Sequence, residues 1–170
     1  VDIGDGKVYL VSEDPVSFLE TELSGVIAND TTPVFEKVKK TVFSGKADYT
    51  INYKENSKNT YSDSDVYFTK IDGETQPVDS DKISTYLSTI SSLSLTNYVT
   101  YNATDDELKS YGLDNPEFSV KVDYTYTDDD NNEISDSCVL HVGQNQEELA
   151  KAKKAKESKK DEAVTVTKYV

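Results

Sequence analysis

The chain holds one histidine and one cysteine, His141 and Cys138. A Ser-His-Asp relay would need His141, and Ser135, Asp136 and Ser137 lie close to it in sequence. Neighbours along one strand point to alternating faces, so these residues cannot build a triad by themselves. No G-x-S-x-G elbow is present. The odd spacing of Cys138 and His141 puts them on opposite faces of a strand, which argues against a thiolate–imidazole dyad. Cys138 is expected to be a buried structural thiol, and His141 to face away from Leu140 and Val142. The run Asp128-Asp129-Asp130-Asn131-Asn132-Glu133 invites a calcium reading. An EF-hand loop needs Gly at its sixth position and Glu at its twelfth. Counted from Asp128, those positions hold Glu133 and Val139. A charged hairpin tip suits these residues better, with a looser cation site as the alternative. Among 32 acidic residues no particular carboxylate pair stands out for glycoside hydrolysis. Tyrosines could stack on sugars, and there are 12 of them, but no Trp. Strand alternation already accounts for Tyr49, Tyr53, Tyr124 and Tyr126. Glycine-rich phosphate loops are absent.

The composition narrows the partners. The chain has 170 residues, enough for one domain, or one domain with an appendage. Its formal net charge is -14, and all 18 basic residues are Lys. A field of that sign repels phosphate backbones and disfavours nucleic acid. The lack of Arg removes the best bidentate ligand for anions. A lone Cys allows no intrachain disulfide, and zinc sites built from several thiolates are excluded. No run of about 18 apolar residues is present. The absence of Met suggests a piece excised from a longer protein. The richness in Tyr, Thr, Ser, Asn and Asp fits an exported bacterial domain.

Several elements are predicted to position these groups. A short strand is expected at 7–11. A helix follows at 15–27, started by Asp14-Pro15 and carrying an apolar stripe of Phe18, Leu19, Leu23, Val26 and Ile27. A linker is expected at 29–33, so that 1–28 forms an appendage and 34–170 the main domain. Residues 35–43, 49–53 and 66–71 are predicted strands of an antiparallel meander, closed by Asp72-Gly73. Ile83, Tyr86, Leu87, Ile90 and Leu93 share one face of a predicted helix at 80–93, with Ser84, Ser88 and Ser91 elsewhere. A strand is expected at 95–101. Phe118, Val120, Val122, Tyr124 and Tyr126 alternate strictly with polar residues, the cleanest strand in the chain. Ile134, Cys138, Leu140 and Val142 form the matching face of its hairpin partner, ended by Gly143. Residues 146–160 are rich in Lys, Glu and Ala and read as a solvated helix. A last strand covers 164–170. The fold class is α+β, mainly an antiparallel sheet with helices packed on one face.

Local signals agree best between Thr104 and Pro116. Thr104 and Glu107 have capping-box spacing. Asp105, Asp106 and Glu107 suit the helix N-terminus. Leu108 and Tyr111 share a face, and Gly112 suits a left-handed cap. Leu113 follows, and Asp114-Asn115-Pro116 then stops the helix and turns the chain. These residues read as a structural corner; a binding role for Asp114 or Asn115 is the lesser alternative.

The order of elements, the corner Tyr111-Gly112-Leu113-Asp114-Asn115-Pro116 and the run Leu140-His141-Val142-Gly143 resemble the bacterial domain-of-unknown-function family DUF4340 over most of 34–170. Tyr67 and Phe68 fit the aromatic strand that leads to a helix in that family. A VY-x-V strand usually follows the one that 165–170 resembles. A similar piece, Val8-Tyr9-Leu10-Val11, stands near the N-terminus, as the end of a preceding repeat unit would. A Tyr where Trp is common and the Lys-rich segment depart from the pattern. The resemblance implies an extracytoplasmic protein of the bacterial envelope, with a parent anchored in the membrane outside this chain, sometimes associated with ABC-type transport. It carries over no catalytic residue. The expected function is therefore a non-enzymatic interaction or scaffold module whose partner is another envelope protein, without cofactor, metal or nucleic acid. A ligand-binding module for glycan or calcium is the alternative.

Overall fold

The computed structural model describes residues 6–7, 25–157 and 165–170. Residues 8–11 of the strand expected at 7–11, most of the helix expected at 15–27, residues 158–160 of the helix expected at 146–160 and residue 164 of the last strand lie outside the described residues. The elements run β1 (Asp30–Thr31), β2 (Lys37–Ser44), β3 (Tyr49–Tyr53), β4 (Tyr67–Ile71), β5 (Glu74–Pro77), α1 (Ser80–Ile90) and β6 (Ser94–Leu95). Then come α2 (Asp105–Ser110), β7 (Phe118–Thr127), β8 (Glu133–Gln144), α3 (Gln146–Glu157) and β9 (Lys168–Tyr169).

Seven strands form one sheet in the order β5-β4-β3-β2-β7-β8-β9. Every neighbouring pair is antiparallel. The sheet is thus two local meanders, β2 to β5 and β7 to β9, sewn together where β2 meets β7. The expected meander continues one strand further than its apolar pattern shows. Asp72 and Gly73 both take positive φ, 52° and 86°, as a type I′ turn requires, and return the chain as β5.

The core lies on the face that α1 covers. Val38, Phe43, Ile51, Val120, Val122 and Tyr124 from the three central strands β2, β3 and β7 pack with Leu87 of α1. Ile83, Tyr86 and Ile90 pack around them on the same helix face. The register of β2 against β7 shifts between Val38 and Lys40. This bulge lets Val38 and Thr41 both point into the core despite their odd spacing. Thr41 is 1% exposed. It sits opposite Ile51 on one side and Val122 on the other. Among the described residues its hydroxyl has no hydrogen-bond partner.

Two predicted elements end early. Helix α1 stops at Ile90, not residue 93, because the stretch expected as a linker clasps its end. Thr32 Oγ1 donates to the Ile90 carbonyl and accepts from the Leu93 N–H at 2.8 Å. Ser91 Oγ accepts the Phe35 N–H at 3.0 Å. Ser92 turns into left-handed space at φ 57°. Of the strand expected at 95–101, only Ser94–Leu95 pairs, with β1. Residues after Leu95 leave the ladder and form a wall described below.

Two outcomes test this core. Phe43→Ala, at a site 2% exposed, is expected to cost about 3–5 kcal/mol in urea unfolding. Thr41→Val keeps the shape and removes the unpartnered hydroxyl. It is expected to stabilise by about 1 kcal/mol in the same experiment.

Candidate functional site

The residues with chemical potential do not converge on one another. His141 lies on the exposed face of β8, where Nδ1 meets Ser119 Oγ of β7 at 2.8 Å. The two stand directly opposite across the hairpin. No carboxylate contacts this pair among the described residues, so it makes a cross-strand hydrogen bond and no relay. Ser135 and Ser137 stand opposite Thr125 and Asp123, away from His141. Asp136 is exposed and accepts a bond from Tyr124 Oη at 3.3 Å. Cys138 is half-buried against the core, and burial raises its thiol pKa. The Asp128 carboxylate accepts the N–H groups of Asp130 and Asn132 at 3.0 and 2.8 Å and the Asn132 side-chain amide at 3.1 Å. These bonds close the hairpin turn and hold its carboxyl below the usual range, the Asn132 N–H contributing most. No group of three or more potential metal ligands occurs among the described residues.

The corner does converge, on backbone rather than on a reactive centre. Glu107 Oε2 accepts the Thr104 N–H at 2.8 Å, while Thr104 Oγ1 accepts the Glu107 N–H at 3.3 Å. This is the capping box that the spacing of Thr104 and Glu107 predicts. At the other end of α2, Gly112 has φ 70°. Its N–H donates to the Lys109 carbonyl at 3.0 Å, and the Leu113 N–H donates to the Leu108 carbonyl at 2.8 Å. That pair of bonds is a Schellman motif. Asp114 is exposed and Pro116 half-buried as the chain turns into β7.

Gly112 then meets Gly143 of β8. A Cβ on Gly143 would run into the Tyr111 carbonyl oxygen and stand 3.0 Å from Gly112 C. A Cβ on Gly112 would stand 2.8 Å from the Gln144 carbonyl oxygen and collide with the Gln146 amide. The two motifs of the sequence, Tyr-Gly-Leu and Leu-His-Val-Gly, are thus two halves of one backbone-on-backbone joint.

The joint brings α2 beside the end of the sheet. The ring of Tyr111 packs on Tyr169 of β9 at 4.7 Å. Asn145 caps α3 by accepting the Glu148 N–H at 3.0 Å, and its side-chain amide donates to Tyr169 Oη at 3.2 Å. Lys168 pairs with Glu117. Between this assembly and the wall after β6 lies a groove of about 640 Å³, lined by Leu95, Tyr98, Val99, Leu108, Leu113 and Val170 among others. Tyr98 ties the wall to β1, accepting the Asp30 N–H at 2.8 Å. Val99 and Val170 are 61% and 60% exposed there. Sequence reading finds the corner but not the groove, whose sides come from segments far apart in the chain.

A family model described as "Domain of unknown function (DUF4340)" matches residues 70–169. No curated protein and no solved structure matches the chain. The matched span holds both glycines of the joint, α2, β7, β8 and the groove's lining apart from Val170.

Gly143→Ala is expected to destabilise by about 2 kcal/mol through crowding alone. Gly112→Val adds backbone strain to crowding and should cost more. Gly73→Ala, where a Cβ meets nothing, should cost only about 1 kcal/mol for its left-handed φ. Urea midpoints of the three variants check the order. A second outcome concerns acid. The Thr104 backbone N–H, followed by its hydroxyl, lowers the Glu107 carboxyl in the fold. The cap therefore contributes fully above the unfolded carboxyl's pKa and fades as pH falls through the lowered, folded value. Glu107→Gln should flatten that part of the stability–pH curve.

Proposed function

We propose that this chain, which belongs to the DUF4340 family, is a non-enzymatic interaction module of a bacterial envelope assembly. It works on the extracytoplasmic side and binds another envelope protein, in association with an ABC-type transport system. A parent protein anchored in the membrane outside this chain would carry it there. Among the described residues no helix is long and apolar enough to cross a membrane.

The observation that carries the reading is the groove beside β9. Exposed Val99 and Val170 line it. At the same place β9 is the last strand of the sheet, with β8 as its only neighbour among the described residues. Exposed apolar surface beside a strand suits an extended segment of a protein partner, whose side chains would fill the groove and give selectivity. The high negative charge favours a protein over nucleic acid or an anionic surface.

The test is capture from bacterial envelope extracts with the chain as bait and mass spectrometry as readout. Wild type should retain a membrane protein of a transport system. Val170→Asp, which puts a charge in the apolar groove, should lower its recovery at least about tenfold, since burying an unpaired carboxylate costs several kcal/mol. Equal recovery by wild type and Val170→Asp would remove the groove from the interface. Recovery of cytosolic proteins alone would remove the envelope reading.

A further inference from the structure

A second concavity is lined by α1 and by β2, β3 and β4, strands far from β9 in the sheet order. It measures about 550 Å³, within the roughly 300–1,000 Å³ of small-ligand sites. Its floor is the buried pair Val38 and Leu87, each 5% exposed. Its sides are aromatic. Tyr53 and Tyr67 meet edge to face at 5.5 Å, and Phe35 is held by Tyr124 at 4.9 Å. Ser84 and Ser88, one helical turn apart, bring hydroxyls from α1 to the same space.

Two features decide what chemistry suits it. First, the charges around it are already paired. Lys37 Nζ lies 2.8 Å from Glu55 Oε1, which also accepts the Tyr53 hydroxyl at 2.6 Å. Glu36 accepts the Thr127 N–H and hydroxyl, each at 3.0 Å. An ionic ligand would have to break one of these pairs, so a neutral ligand is favoured. Second, polar capacity is left over. The Tyr67 hydroxyl is half-buried and has no hydrogen-bond partner among the described residues. Ser88 Oγ donates to the Thr85 carbonyl at 2.7 Å, which leaves its lone pairs to accept. Aromatic faces cover the C–H faces of a pyranose ring, and unspent hydroxyls answer its O–H groups. A purely apolar ligand would leave those hydroxyls unpaired.

We propose that the cleft between α1 and strands β2 to β4 binds a neutral saccharide of one or two pyranose rings. Phe35 and the face of Tyr53 that Lys37 Nζ, 4.8 Å from the ring centroid, does not cover pack on the sugar ring, and Tyr67 and Ser88 take its hydroxyls. This site is separate from the groove beside β9 and stands whether or not that groove binds a protein.

The test is saturation-transfer NMR on the full chain. The probes are glucose, N-acetylglucosamine and their β-1,4-linked disaccharides, with glucuronic acid as the charged control. At least one neutral probe should receive saturation on its ring C–H protons, and glucuronic acid should receive less. Tyr67→Phe removes one oxygen and keeps the ring; it should weaken binding about tenfold, the loss of one good hydrogen bond. Tyr53→Ala should abolish it. Tyr61→Phe, at an 81% exposed tyrosine outside the cleft, should change nothing, and amide spectra confirm that each variant is folded. No transfer to any neutral probe overturns the proposal. So does transfer that survives both Tyr67→Phe and Tyr53→Ala, or glucuronic acid binding as well as the neutral sugars.

Discussion

The pairing of β2 with β7 is the constraint on which the rest depends. Each of these strands also ends a meander that could form locally. Only their union closes the sheet and makes one apolar face wide enough for α1. Val120 and Val122 of β7 are each 1% exposed, and Phe43 of β2 is 2% exposed. These residues lie on either side of that seam: Phe43 stands opposite Val120, and Val122 opposite Thr41. The family match begins at residue 70 and leaves out β2 and β3. Physically the matched part cannot stand alone in this form, since β7 would lose the neighbour that buries its backbone.

Each of the two concavities inherits its shape from a different rigid contact. The groove beside β9 follows from the approach of Gly112 and Gly143, which sets how close α2 comes to β8. The cleft along α1 follows from where that helix ends, and Thr32 and Ser91 fix that end by taking up backbone groups that would otherwise be left open. In both places a few hydrogen bonds position larger apolar surfaces, and the surfaces offer the contact area.

Legibility tracked locality. The strict alternation of 118–127 gave its strand and inward face, and the Thr104–Glu107 spacing gave a cap that the atoms reproduce. The stretch 35–43 was legible as a strand but not its inward face, because a bulge sits between Val38 and Lys40. A bulge adds a residue and reverses the phase of the pattern. Strand β5 stayed hidden because Glu74, Thr75, Gln76 and Pro77 form an edge, where polar residues and proline are expected and no apolar pattern is needed. Leu95, Tyr98, Val99 and Tyr101 looked like a strand because a wall and a strand can share the same residue types. The serines of α1 gave no signal, since their neighbours across the cleft arrive from residues more than a helix length away in sequence. Gly143 could be read as the end of a run, but not as the partner of Gly112.

The seam also sets an order of events during synthesis. Strands β2 to β5 leave the ribosome as a hairpin series well before β7 exists, because α1, β6 and α2 lie between them. Until β7 arrives, β2 is an edge strand with Phe43 and Val38 uncovered, and contacts this distant in sequence form slowly. Nascent chains in that state can pair with one another edge to edge. Lys37, Lys39 and Lys40 on β2 itself, beside a hairpin turn opened by Gly45, place like charges along the strand that would meet in such a pair. The lysines of β2 thus guard the half-made protein, and the same residues become ordinary surface once β7 has docked.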